Sequence, residues 1–235
     1  PLSGRIFRKR LMGKSIFFDI KDFSETIQIY LSKNTFPLTY KNLVTYLTLG
    51  DIIGIKGNLF KTKTNELSLN VVYLTVLSKN INTFPDKVYG LLDKEICYRQ
   101  RYLDLMVNNQ TKNIFIIRSM VISKLREFFI QRNFFEVETP IIQTCPGGAD
   151  AQPFESYHNF LNTKIYFRIA PELYLKRLII GGMEKVFEIG KNFRNEGIST
   201  RHHPEFTTIE FYEAYSDYNK LMNLTEILLN FLSNA

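Results

Sequence analysis

Short runs with a period of two fill the first third of the chain. Ser15–Ile20, Thr26–Leu31, Ile52–Phe60 and Leu67–Leu77 alternate β-branched or aromatic residues with polar ones, and turn-forming stretches separate them. Five strands fit between Gly4 and Leu77. A strand-rich unit of that size is compatible with an OB-type barrel, whose face can stack unpaired bases, and equally with a generic small β-domain. From Asn80 to Asn109 the alternation lapses. Pro85 and Gly90 punctuate this stretch and the charged runs Asp93-Lys-Glu95 and Arg99-Gln-Arg101 follow, which predicts an interdomain linker with a short helix.

The period then changes. Ile114, Ile117, Val121, Leu125, Phe128 and Phe129 recur at helical spacing, so an amphipathic helix is predicted over about Lys112–Arg132, with Asn133 as a left-handed stop. Phe134–Pro140 reads as a strand. In Lys164–Ala170, Ile165, Phe167 and Ile169 alternate with Lys164, Tyr166 and Arg168, the pattern of a strand buried on one side. Pro171 opens a helix with Glu172 in its first turn, where the helix dipole favours a carboxylate. Near the end, a basic loop containing Gly197 separates two strand-like runs. In the second of these, the period of two puts Phe206, Glu210 and Tyr212 on one face and Thr207, Ile209 and Phe211 on the other. The fold class expected from these elements is α+β.

Composition adds modest constraints. The 235 residues are 45% hydrophobic with no very long apolar run, which describes a globular chain of one large or two small domains. A formal charge of +7 favours a polyanionic partner, although a bias toward Lys, Asn, Ile and Phe and away from Trp also contributes to it. Cys97 and Cys145 lack metal-ligand spacing, which argues against a disulfide framework or a structural zinc and makes a reducing cytoplasm the default. The chain starts at Pro1 with no signal-peptide pattern, so it is expected to begin inside a longer protein.

The string Phe193-Arg-Asn-Glu-Gly-Ile-Ser-Thr-Arg-His-His-Pro-Glu-Phe206 carries the candidate chemistry. Joining a carboxylate to the α-phosphate of ATP brings two anions together, and the planar fork of Arg194 can bind oxygens of both while staying charged. Positioning and charge stabilisation should then dominate the rate. His202 and His203 are adjacent, so on a strand-like segment they point apart, and no third metal ligand accompanies them. A Gly-rich loop ending in Gly-Lys-Ser/Thr is missing, which argues against a P-loop ATPase.

Several strings together resemble one family. They are Gly54-Ile-Lys-Gly57, Phe60-Lys-Thr-Lys-Thr64, Tyr98-Arg-Gln-Arg-Tyr-Leu-Asp104, Pro146-Gly-Gly148, Arg168-Ile-Ala-Pro-Glu-Leu-Tyr-Leu-Lys-Arg177 and the Arg194 segment. They are similar to class IIb lysyl-tRNA synthetases of the bacterial type, and the resemblance covers nearly the whole chain. It implies an OB-fold anticodon-binding domain over 1–79, a linker over 80–109, and the first part of an antiparallel-sheet catalytic domain over 110–235. The helix leading into Phe134–Pro140 resembles motif 1, which forms the homodimer interface in that family, and the Arg194 segment resembles motif 2. Motif 3 is missing, so the resemblance implies a truncated and by itself inactive catalytic unit, with magnesium ligands beyond residue 235 and none within the chain.

By the same resemblance Gly148, Glu172, Glu210 and Tyr212 bind lysine, and Arg194 bridges the lysine carboxylate and ATP as the catalytic residue. Glu196, His202, His203 and Phe206 surround ATP, with the Phe206 ring stacked on adenine, and Arg10, Phe17, Gln28 and Glu66 read the anticodon. The partners implied are L-lysine, ATP with Mg2+, and lysine tRNA, in the cytoplasm and with no membrane. Lysine carries two ammonium groups, and Glu172 and Glu210 supply two carboxylates to meet them. The chain departs from the family pattern at Asp150, Gln152 and His203. The alternative function is a synthetase-like protein that binds RNA without catalysis.

Overall fold

The computed structural model describes residues 1–82, 84–85, 91 and 93–234 and divides into two compact units, 1–113 and 114–235. In the first, strands β1 (Leu2–Met12), β2 (Ser15–Lys21), β3 (Thr26–Ser32), β4 (Ile52–Lys61) and β5 (Leu67–Ser78) close a barrel in the order β1-β2-β3-β5-β4. All pairs are antiparallel except β3 with β5, and the β1–β4 pairing closes the ring, leaving no free sheet edge. Alternation fills the interior with Ile16, Phe18 and Ile20 from β2, Ile29 and Leu31 from β3, and Ile53, Ile55, Leu69 and Val71 from β4 and β5.

Strand β1 does not stand out in the sequence because its phase breaks. Ile6 and Phe7 are both buried, and the β1–β2 register shifts between Ile6 and Arg8, so the alternation changes face within the strand. Helix α1 (Tyr40–Tyr46) is also absent from the sequence reading. Tyr40 and the following Leu47 are buried against the barrel, with Leu43 and Val44 packed beside them; this is helical spacing, but over only seven helical residues.

The segment expected to be a linker with one short helix instead holds two, α2 (Lys94–Arg99) and α3 (Arg101–Val107). Asp93 caps α2 by accepting hydrogen bonds from the amides of Glu95 and Ile96. Buried Asp104 accepts from Arg101, Asn108 and Thr111, which holds α3 to the start of α4 (Asn109–Ile130). Gly90, expected to punctuate this segment, lies outside the described residues.

Helix α4 begins three residues before the predicted start and ends at Ile130, two before the predicted end; the turn that follows closes at Asn133, whose φ of 61° is the left-handed conformation expected there. Its burial differs from the sequence reading. Leu125, Phe128 and Phe129 enter the core of the second unit, whereas Ile114 and Ile117 are exposed. That core also takes Phe134 and Phe187, together with Phe211 and Leu228.

The second unit has two small sheets. β6 (Phe135–Glu136), β10 (Lys185–Phe193) and β11 (Glu205–Glu213) form one in the order β11-β10-β6, antiparallel between β10 and β11 and parallel between β10 and β6. β7 (Ile142–Gln143), β8 (Glu155–His158) and β9 (Thr163–Phe167) form an antiparallel second sheet with β9 in the middle. Helices α5 (Glu172–Ile180) and α6 (Tyr218–Ser233) complete the unit, and Pro171 stands as the N-cap of α5. The predicted strand Phe134–Pro140 shrinks to the two residues of β6, because Phe134 turns into the core and Thr139 turns to Glu188. The predicted strand over Lys164–Ala170 ends at Phe167; Arg168, expected on the exposed side, is buried by an ion pair with Glu188.

Candidate functional site

The antiparallel register of β10 and β11 sets Glu188 opposite Glu210, Gly190 opposite Thr208 and Asn192 opposite Phe206. One face of this hairpin carries Ile189, Ile209 and Phe211 into the core, so the other face holds the polar residues. Like charges directly opposite on adjacent strands repel. Arg168 relieves this repulsion at Glu188, meeting its carboxylate at 2.5 Å with both side chains almost fully buried. The same guanidinium donates to Lys191 O at 2.8 Å and to Thr139 O and Oγ1 at 3.2 and 3.0 Å, while Thr139 Oγ1 donates to Glu188 Oε2 at 2.7 Å. A Cβ at Gly190 would stand 2.1 Å from Arg168 Nη2, so a side chain there would displace the guanidinium from its present position.

Among the described residues Glu210 makes no ion pair. Its carboxylate accepts a hydrogen bond from the Tyr212 hydroxyl at 3.2 Å. Burial raises its pKa above the ordinary carboxylate value, Tyr212 opposes the rise, and the neighbouring charge of Glu172 adds to it. Burial, followed by the charges of Glu210 and Glu172, also pushes the Tyr212 phenol far above its usual value. Glu172 lies in the first turn of α5 and pairs with Lys176 at 2.6 Å. Gly148, with φ +89°, passes so close that a Cβ on it would lie 2.9 Å from Glu172 Cβ. Gly148, Glu172, Glu210 and Tyr212 therefore share one acidic site.

At the other end of the hairpin face, Arg194, Glu196, His202, His203 and Phe206 line a concavity of about 230 Å³, joined by Gly197 and Arg201. The Arg194 guanidinium stands 5.1 Å from the centre of the Phe206 ring, and its buried Nε has no hydrogen-bond partner among the described residues. Arg194 N donates to Pro204 O, closing the base of the loop, and Asn195 N donates to Gln152 O. Gln152, a departure in the sequence, thus holds the hairpin through its backbone. His202 Nδ1 lies 2.8 Å from Ser199 Oγ. From Phe206 to Glu210 is four residues of strand, about 13 Å, room for an extended ligand along one face.

On the outer surface of the barrel, Arg10, Phe17, Gln28 and Glu66 line a single concavity of about 400 Å³, with Tyr30 and Lys63 beside them. The Phe17 and Tyr30 rings lie 5.1 Å apart on paired strands, and Phe60 lies 5.8 Å beyond Tyr30.

Residues 93–235 match the family model described as tRNA synthetases class II (D, K and N), and residues 2–77 match OB-fold nucleic acid binding domain. The chain belongs to the class II tRNA synthetase family. It is 53% identical over 233 residues to a lysine–tRNA ligase of Haemophilus influenzae strain PittGG, covering 99% of this chain and 46% of that protein. The identity to a lysine–tRNA ligase of Legionella pneumophila strain Paris is 53% over 231 residues, 98% of this chain and 46% of the relative. For that of Nitrosomonas europaea it is 54% over 228 residues, 97% of this chain and 45% of the relative. The chain thus spans about half the length of the curated relatives it matches.

Among the functional-face residues of this class II chain, sequence reasoning missed Arg168, Arg201, Asn192 and Tyr30. Asn192 donates to Thr208 and leaves its buried Oδ1 unpartnered among the described residues. For Tyr30 a signal existed, since it shares the outer face with Gln28 two residues away. For Arg168 none did, because its alternation pattern read as solvent-facing.

Proposed function

We propose that this chain is part of a lysine–tRNA ligase, which activates lysine with ATP and transfers it to the 3′ end of lysine tRNA. The observation that carries the reading is the acidic site of Gly148, Glu172, Glu210 and Tyr212, and the names of the relatives agree with it. Two carboxylates in a partly desolvated site, one of them with its pKa raised by burial, are suited to a ligand that brings ammonium groups.

In the proposed reaction a lysine carboxylate oxygen attacks the α-phosphorus of ATP, forming lysyl-adenylate as the bond to pyrophosphate breaks. Arg194, with an unsatisfied Nε and its guanidinium over Phe206, spans the lysine carboxylate and the α-phosphate. Glu196, His202, His203 and Phe206 hold the nucleotide, with Phe206 as the platform for adenine. Magnesium would screen the phosphates. No group of three or more His, Cys, Asp or Glu that could hold it occurs among the described residues, so no residue of this chain is assigned to it.

Arg10, Phe17, Gln28 and Glu66 contact the anticodon of lysine tRNA on the barrel's outer concavity, where Phe17 and Tyr30 offer aromatic stacking. The exposed apolar half of α4, including Ile114 and Ile117, supports a homodimer through motif 1. The site of action is the cytoplasm; no helix among the described residues is long and apolar enough to cross a membrane.

The test is ATP–pyrophosphate exchange by the longest product of the gene. Exchange driven by lysine and not by aspartate or asparagine is expected. RNA binding with no exchange for any amino acid would favour the non-catalytic alternative.

A further inference from the structure

We infer that Asn192 is a positioning residue for Arg194: its side-chain amide oxygen receives Arg194 Nε and so aims the guanidinium fork along the hairpin face. The two atoms are complementary. Asn192 is 1% exposed and its Oδ1 has no hydrogen-bond partner among the described residues, and the buried Arg194 Nε lacks one as well. A buried polar atom without a partner is costly, so each marks a contact that this arrangement leaves unmade. One is an acceptor and the other a donor.

Their placement lets them meet. Asn192 lies opposite Phe206 in the ladder, and Arg194 N donates to Pro204 O at 2.9 Å, so the antiparallel pattern runs on past Phe193. Residues two apart on a strand share a face, with about 7 Å between their Cα atoms. The Arg194 guanidinium lies over the Phe206 ring, on the same side of the hairpin as the Asn192 amide. The other end of that amide is anchored, with Nδ2 at 2.7 Å from Thr208 Oγ1. A threonine hydroxyl can serve either end of an amide, since it both donates and accepts. The neighbouring cation decides, because the reversed amide would set its NH2 against the donors of Arg194.

Thr208 stands midway between Phe206 and Glu210 on β11, where the proposed reaction joins two anions. Their oxygens only accept, so an amide oxygen facing them directly would repel, whereas acting through Arg194 it assists. As adenine takes the Phe206 ring, the guanidinium leaves it and Nε settles on Asn192 Oδ1. That bond fixes the plane of the fork and keeps the Nη hydrogens for the lysine carboxylate and the α-phosphate.

This inference rests on the proposed role of Arg194, and a double-mutant cycle separates the two. The longest product of the gene is titrated calorimetrically with a lysyl-adenylate analogue in which a sulfamate replaces the phosphate. Arg194→Ala should weaken the analogue by at least about tenfold, the scale of losing hydrogen bonds from a charged group. Asn192→Leu, similar in size but without the acceptor, should weaken it about tenfold in the parent and less than about twofold when Arg194 is already alanine. Thr208→Val, which releases the anchored end of the amide, should show the same dependence on Arg194 at about threefold, the scale of one neutral hydrogen bond. Thermal melting checks that each variant is folded.

If Asn192→Leu does not fold, Thr208→Val decides the question. No loss in the parent, or a loss of the same size with and without Arg194, would overturn the inference, since a direct contact to the ligand or a merely structural role would persist without the arginine. An Arg194→Ala variant that binds the analogue as well as the parent does would overturn the underlying reading instead.

Discussion

In the barrel, Ile16, Phe18 and Ile20 face a closed apolar interior while Phe17, on the same strand, stands on the outer surface with Tyr30. In the second unit, β11 likewise sends Ile209 and Phe211 into the core, but its other face carries Glu210 beside the buried Arg168–Glu188 pair. The barrel's candidate site is largely laid on a finished fold. That of the second unit shares its charges with the fold. Function and stability should therefore separate in the first unit and be coupled in the second.

The largest effect expected is from Arg168→Met. It leaves Glu188 buried and uncompensated beside Glu210, at a cost of about 3–5 kcal/mol. Hydrogen exchange followed by mass spectrometry should show loss of protection in β10 and β11 with the barrel strands still protected. Uniform loss across both units would break the contrast.

Next is Arg194→Ala, which removes the charge contact proposed to form as the α-phosphate is attacked. Lysine-dependent exchange by the longest gene product should fall by at least about a hundredfold, the effect of deleting one such contact. The melting temperature should barely change, because Arg194 makes no ion pair among the described residues. Near-normal exchange would remove it from the proposed reaction.

Phe17→Ala should weaken binding of an anticodon stem-loop by about 1–3 kcal/mol, the usual worth of a base–aromatic stack, and leave barrel stability nearly intact. A large loss of stability would show that this ring belongs to the fold as much as to the site.

The smallest effect is on stability, from Glu210→Gln. Burial raises the folded-state pKa of Glu210 above its unfolded value, so the associated stability is present below the unfolded pKa and is lost as pH rises through the folded one. Near neutral pH the charge is a burden on the fold. The variant should melt slightly higher than the parent there, with the difference disappearing in acid, while lysine binding is lost. A lower melting temperature at neutral pH would contradict the coupling of site and fold.

Much of this organisation is legible in the sequence, for identifiable reasons. Strands β2 to β5 repeat the same alternation, and Asn133 marks the end of α4 because few other residues tolerate its left-handed backbone. The residues of the acidic site and of the Arg194 concavity were reached through their strings, and the structure brings each set together. What escaped was tertiary in origin. Arg168 reads as exposed until Glu188 is placed beside it, and the break in β1 depends on a register shift that alternation alone conceals. Ile114 and Ile117 fit a helical stripe as well as Phe128 does, but spacing cannot tell which part of a stripe the same chain will cover.

The central claim is that Glu172 and its neighbours recognise the charge of lysine, and isothermal titration of Glu172→Gln with lysine and ATP separately tests it most directly. The account predicts that lysine binding weakens by about 2–5 kcal/mol, the cost of leaving a buried ammonium without its charged partner, while ATP binding is unchanged. Equal losses for the two ligands, or none for lysine, would contradict it and leave Glu172 as a residue that merely suits the start of α5.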